Sequence, residues 1–182
     1  MIEKTLVVIK PDGVERGLVD EIISRYKKAG LKVLAKKTLR IDKKFAEKHY
    51  AATDEQIVGM GLKTLQASKE NNRFEEMKKI FGTEDPKKIG TLLRRWMIEF
   101  ITSGPVVALL LEGEDAVQVA RKVSGYTDPS KAEKGSIRGD LGEDSIVKAN
   151  LERRACRNLV HASGSKEEAE REVALWFGRN FK

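Results

Sequence analysis

The first apolar run, residues 5–10 (TLVVIK), is short, β-branched and closed by Pro11-Asp12-Gly13, which predicts a buried strand ended by a turn. The period then changes. Leu18, Ile22, Ile23 and Tyr26 recur at helical spacing with Gly30 as the cap, so a helix is expected over 18–29. Residues 31–41 (LKVLAKKTLRI) read as a strand, apolar at Leu31, Val33 and Ala35 and shifted in phase at Leu39 and Ile41. Asp42 stands at an N-cap position before a helix carrying Phe45, His49 and Tyr50.

From 57 to 102 the pattern is helical throughout. Leu62, Leu65, Phe74, Met77 and Phe81 mark helix with a break near Asn71-Asn72, and Asp85-Pro86 is an N-cap followed by proline at the first helical position. Ile89, Leu92, Leu93, Trp96, Met97, Phe100 and Ile101 continue at helical spacing up to Gly104-Pro105. Residues 106–111 form a fully apolar strand, and 114–123 a helix with Val117, Ala120 and Val123 inward. Between Ser124 and Asp144, Gly, Pro and charged residues dominate, so a long surface loop is expected, of a length that is usually functional. A short strand over 158–161 follows, and Ser165-Lys166-Glu167-Glu168 reads as a capping box opening a helix with Ala169, Val173, Trp176 and Phe177.

The order is β-α-β, then helices, then β-α, a loop, β and a last helix. This split β-α-β pattern points to an α/β (α+β) fold, a ferredoxin-like sandwich with an antiparallel four-stranded sheet covered by helices. With 182 residues, 40% hydrophobic and 35% charged, one globular domain over 1–182 is expected. No apolar run approaches the ~20 residues of a bilayer span, and the opening MIEKTLVVIKPDG lacks a charged leader before its apolar stretch. The single cysteine, Cys156, excludes an intrachain disulfide and fits a reducing cytoplasmic setting. With one Cys and two His, a Cys/His metal cluster is also excluded on residue count. The formal net charge of +7 favours polyanionic ligands, although several lysines stand beside Glu or Asp and much of the charge reads as ordinary solubility.

Several chemistries are absent. There is no G-x-x-x-x-G-K-[ST] and no G-x-S-x-G, and Gly59-Met60-Gly61 lacks the third glycine and the preceding strand of a dinucleotide fingerprint. Cys156 lies five residues before His161, which in an extended segment puts the two on opposite faces. What remains is a set of separate signals: Lys10 at a strand end, Arg121 on an amphipathic helix, Arg138 between glycines, and His161 ending an apolar run. Each taken alone reads more readily as structural or solvated than as catalytic.

Four segments give these residues a common context. LVVIKPDGVERGLVDEII, SGPVVALLLEG, GYTDPSKAEKGSIRGD and RNLVHASGSKEEAEREVALWF resemble, in order and in type, the nucleoside diphosphate kinase family, including its N-x-x-H-x-S segment. The resemblance covers about three quarters of the chain and implies Mg²⁺-dependent ping-pong phosphoryl transfer from a nucleoside triphosphate such as ATP to a nucleoside diphosphate, through a phosphohistidine. By motif the nucleophile is His161, with Glu172 fixing its orientation, Ser163 supporting it and Tyr50 packed beside it. Lys10, Arg121 and Arg138 would hold phosphates, Thr127 would donate its hydroxyl to one, and Asn158 would bond the sugar hydroxyl and leaving oxygen. Mg²⁺ is expected on the nucleotide phosphates, with no protein metal site. A homo-oligomer is implied, a hexamer ahead of a tetramer.

Three departures from the family pattern stand out. The 52 residues between Tyr50 and Ser103 imply a helical insertion at about 57–95, which leaves the base clamp unassigned, with Val58 in the nearest register. The 17 residues between Asp140 and Asn158 imply a second insertion at about 142–155, helical near 145–154 with Leu151 and Ala155 inward. Gly164 replaces an acidic residue usual after H-x-S. A nucleic-acid module on the same fold would need strand aromatics that TLVVIK and PVVALLLEG lack, so no specific nucleic-acid partner is expected. A phosphohistidine regulator would use the same histidine and stays open.

Overall fold

The computed structural model describes residues 2–178 and 180. The chain runs β1 (Ile2–Ile9), α1 (Pro11–Glu15), α2 (Val19–Lys28), β2 (Lys32–Leu39), α3 (Lys43–His49), α4 (Asp54–Glu70), α5 (Phe74–Phe81) and α6 (Pro86–Ile101). It continues through β3 (Val106–Glu114), α7 (Ala116–Ser124), a 3-10 turn (Pro129–Lys131), α8 (Ile137–Leu141), α9 (Ile146–Leu151), β4 (Val160–Ala162) and α10 (Lys166–Phe177). The strands form one antiparallel sheet in the order β2-β3-β1-β4. This is the ferredoxin-like sandwich that the element order predicts.

Alternation along β1 and β3 builds a core on each face of the sheet. Val7, Ile9, Leu109 and Leu111 meet Ile22 and Tyr26 of α2 and Ala116 and Ala120 of α7. Leu6, Val8, Ala108 and Leu110 face the other way, against Ile98 and Ile101 of α6 and Val173, Trp176 and Phe177 of α10. The phase shift in β2 is a bulge between Val33 and Ala35, earlier than the Leu39 position where the pattern breaks in sequence. It sends Val33 to the first core and Leu34, Ala35 and Leu39 to the second.

A third, smaller core of Met77, Phe81, Ile89 and Trp96 lies among α5 and α6, with Ala155 packed against it. Here α4 and α6 touch backbone to backbone. A Cβ added to Gly61 would land on the carbonyl of Pro86, and one added to Gly90 on the carbonyl of Ile57. Gly61 is thus a helix-crossing glycine.

Three expectations fail in whole or in part. The 124–144 stretch is not a surface loop: Asp128, Pro129, Ser136, Ile137 and Arg138 are buried, and α8 forms inside it. Leu151 is 43% exposed, and Ala149 is the inward residue of α9. The capping box at Ser165 is also only half formed. Ser165 accepts from the Glu168 N–H, but the Glu168 carboxylate turns to the Gly164 N–H at 2.7 Å. A side chain at 164 would collide with that carboxylate, which is why glycine fits there.

Candidate active site

A cavity of about 540 Å³ brings Lys10, Arg121, Thr127, Arg138, Asn158 and His161 together, with Tyr50 also on its wall. They come from the end of β1, α7, the turn after α7, α8, the residue pair before β4, and β4 itself. Of the nine candidate residues, Ser163 and Glu172 are fully buried and lie behind His161 rather than on the cavity wall.

The segment before β4 is held in a strained shape. Leu159 adopts φ 68°, unfavourable for a branched side chain. Its N–H donates to Asp12 Oδ2 at 3.0 Å and its carbonyl accepts from the Lys10 N–H at 2.8 Å. This kink confines β4 to residues 160–162 instead of 158–161 and frees Asn158 for the cavity. Asn158 Oδ1 accepts from Lys10 Nζ at 2.7 Å, and its Nδ2 donates to the Thr127 carbonyl at 2.9 Å.

Arg138 is more committed than its place between glycines suggests. Nε donates to the Asn158 carbonyl at 3.0 Å, Nη1 to that of Gly125 at 2.7 Å, and Nη2 to that of Val160 at 2.6 Å. The guanidinium ties the 124–138 segment to β4, and only part of its fork is left for a ligand. This is the physical reason that the expected loop is pinned down. Arg121, exposed on α7, has no such ties and lines the cavity.

His161 has a side-chain exposure of 17%. Its Nε2 lies 2.9 and 3.0 Å from the two oxygens of Glu172, whose Oε2 also accepts from Ser163 Oγ at 2.7 Å. An ionised carboxylate only accepts, so the network assigns the proton of His161 to Nε2. Nδ1 then carries the lone pair, with no hydrogen bond from the described residues. Burial holds the His161 pKa well below the usual imidazole value, and the positive charge of Lys10 acts in the same direction against the opposing Glu168. Burial likewise pushes the Lys10 ammonium down to about 8, with Arg138 adding to it and Asp12 opposing. Glu172 is shifted upward by its burial.

His49 was not among the expected site residues, yet it packs edge-on against His161 with ring centroids 4.4 Å apart. Tyr50, which was expected there, also meets His161 edge-on, with ring centroids 6.2 Å apart. Trp176 Nε1 donates to His49 Nδ1 at 3.2 Å, and burial drives the His49 pKa down to about 3, so its imidazole is neutral. Its i, i+4 spacing from Phe45 on an otherwise apolar helix face was the available signal. His49, His161 and Glu172 place three donor atoms within 4.8 Å, so counting Cys and His alone was too narrow a test for a metal cluster. The hydrogen bonds above occupy His49 Nδ1, His161 Nε2 and the Glu172 carboxylate, while the buried His49 Nε2 has no hydrogen-bond partner among the described residues.

Cys156 also lines the cavity, although strand geometry predicted it on the face away from His161. Residues 154–157 are not a strand, which removes that argument. Burial pushes the thiol up to about 12, so it stays protonated.

The nucleoside diphosphate kinase family model matches residues 3–94 and 55–181. The chain is 41% identical over 176 residues to the nucleoside diphosphate kinase of Pyrococcus furiosus, covering 97% of this chain and 83% of that one. The crystal structure of an NDP kinase from Pyrobaculum aerophilum superposes with a TM-score of 0.91 at 45% identity, over 97% of this chain and 96% of that one. A transition-state mimic of the Borrelia burgdorferi nucleoside-diphosphate kinase, with bound vanadate and ADP, gives 0.75 at 31% identity over 98% and 89%. By family model, sequence and fold together, the chain belongs to the nucleoside diphosphate kinase family of phosphotransferase enzymes.

Proposed function

We propose that the protein transfers the γ-phosphate of a nucleoside triphosphate to a nucleoside diphosphate in two half-reactions through His161 Nδ1. The observation that carries this is the Glu172–His161 hydrogen bond, which holds the proton on Nε2 and leaves the Nδ1 lone pair free on a residue that lines the cavity. In the first half, that lone pair forms a P–N bond while the bridging oxygen leaves with the electrons of the P–O bond. The ring gains positive charge, and the Nε2–H points it at a carboxylate. The second half runs the same step in reverse onto another diphosphate, which is why one histidine suffices.

Lys10 and Arg121 supply positive charge to the non-bridging oxygens, with Arg138 contributing the unused part of its fork. The Thr127 hydroxyl donates to a phosphate, and Asn158, braced by Lys10, serves the sugar hydroxyl and leaving oxygen. Among the described residues the cavity wall holds no carboxylate, so Mg²⁺, which prefers oxygen ligands, fits as a passenger on the nucleotide phosphates. Bound there, it would supply positive charge beside the transferring group. The vanadate and ADP bound to the Borrelia relative support phosphoryl transfer as the reaction. A cytoplasmic homo-oligomer, hexameric rather than tetrameric, belongs to the same reading.

The test is to incubate the protein with γ-labelled ATP and Mg²⁺, quench it, and look for an acid-labile, base-stable label. Discharge of that label by GDP or CDP is the expected result. Failure to label, or a label that diphosphates do not remove, would overturn the two-step route.

A further inference from the structure

The phosphate-handling residues line only part of the cavity. Beyond them it runs between three helices that phosphoryl transfer does not need. Leu93, Trp96, Met97 and Phe100 of α6 face it at i, i+3, i+4 and i+7. Met60, Lys63 and Thr64 of α4 stand opposite at i, i+3 and i+4, and Ile146 and Asn150 of α9 add an i, i+4 pair. These walls are fixed relative to one another. The glycine crossing locks α4 onto α6, and Ala155, just past α9, packs into the core that contains Trp96. Val58, the nearest register for a base clamp by sequence, is not on the wall.

The compartment is mainly apolar, and apart from the exposed Lys63 ammonium at its edge most of its polar groups are in use. The Thr64 hydroxyl donates to the Met60 carbonyl at 3.1 Å. Arg154 is bound to Asp144 and Glu152, each at 2.6 Å. The Cys156 thiol is protonated and a weak donor. Among the described residues the Asn150 carboxamide finds no hydrogen-bond partner. It is half-buried and carries both a donor and an acceptor, the combination that pairs with the amino or carbonyl edge of a nucleobase.

We infer that the base of the nucleotide lies in the compartment between α4, α6 and α9, and that Asn150 is a specificity-determining residue that hydrogen-bonds the edge of the base. This rests on the kinase reading above and names the subsite it leaves open. A planar aromatic joined through a sugar to the phosphates is the ligand whose apolar faces and polar rim fit walls of methionine, leucine and phenylalanine with a half-buried carboxamide and a lysine at the edge. Both sequence segments in surplus over the family pattern contribute walls, so the base site of this chain is largely its own.

The test compares kcat/KM for phosphorylation of the enzyme by ATP, GTP, CTP and UTP in the wild type and in Asn150→Leu, which keeps the branching and the number of side-chain heavy atoms and removes the polar edge. One neutral hydrogen bond is worth a factor of ~3–10, so the ratio between the best and worst nucleotide is expected to shift by that factor. Met97→Ala, with an unchanged circular dichroism spectrum, is expected to slow labelling by all four nucleotides severalfold while leaving labelling by inorganic triphosphate unchanged. Equal effects of Asn150→Leu on all four, or none, would overturn the role of Asn150. A Met97→Ala enzyme as fast as wild type with nucleotides would overturn the compartment. If the wild type takes no label from any of the four nucleotides, it is the kinase reading that fails.

Discussion

Glu172→Gln should separate catalysis from stability. The carboxylate is fully buried and accepts from His161 Nε2 and Ser163 Oγ. Gln keeps the shape and one acceptor oxygen but removes the charge. A hydrogen bond to an ionised group is worth ~1.5–3 kcal/mol against ~0.5–1.5 for a neutral pair, so orienting His161 alone costs ~1–1.5 kcal/mol. The loss grows as the ring becomes positive during transfer, since that charge then has no counter-charge in the buried site. We expect phosphorylation from γ-labelled ATP, measured by rapid quench, to slow ~10–100-fold, or ~1.4–2.7 kcal/mol. Stability should move the other way. Burial raises the Glu172 pKa, so the unfolded chain releases this proton near 4.5 and the folded chain only at higher pH. A carboxyl of this kind withdraws stability as pH rises through that window, and at neutral pH its charge is a net cost to the fold. Glu172→Gln should therefore melt at or above the wild-type temperature. A mutant phosphorylated at the wild-type rate would refute the orienting role. One that loses activity and several degrees of Tm together would make Glu172 a structural residue.

Three further outcomes follow from the geometry. Lys10 acts as a cation, and with its pKa pushed down to about 8 it loses its charge as pH rises through that value. The pH profile of kcat/KM should fall above about 8, and Lys10→Arg, weaker overall, should lose that limb; a wild-type profile flat to pH ~10 would contradict it. Arg138→Lys surrenders most of three carbonyl contacts and should cost ~2–4 kcal/mol, or ~5–10 °C of Tm by calorimetry, whereas an unchanged Tm would show that the tether carries no weight. Gly61→Ala forces α4 off α6 and should cost at least ~1–3 kcal/mol in denaturant unfolding, with wild-type stability contradicting the close crossing.

The strands and the long helices were legible because their signals are local. The β-branched runs, the N-caps at Asp42 and Asp85, and the 3.6-residue spacing of α6 each act within a few residues. What the sequence hid depends on distant partners. The burial of 124–138 comes from Arg138 bonding to carbonyls up to 22 residues away. The partner of His49, Trp176, lies 127 residues on, so the spacing from Phe45 marks His49 as inward-facing but does not show what it meets. The shortness of β4 follows from Leu159, whose left-handed backbone is imposed by Asp12 across 147 residues of chain. Leu151 misled for another reason: α9 stops there, so a helical phase projected past its end places the side chain wrongly. Most candidate residues were legible through motifs, but the division of labour among them was not. Arg138 proves mainly a tether, and the base compartment emerges only once three helices meet.

The most direct test is the chemical identity of the phosphorylated nitrogen, read by phosphorus–nitrogen correlation NMR on histidine-labelled protein trapped after reaction with ATP. The geometry predicts a single phosphohistidine, at His161, with phosphorus bonded to Nδ1 and the proton retained on Nε2. Phosphorus on Nε2, or on His49, would contradict the account, because Glu172 would then not be holding the nucleophile as described.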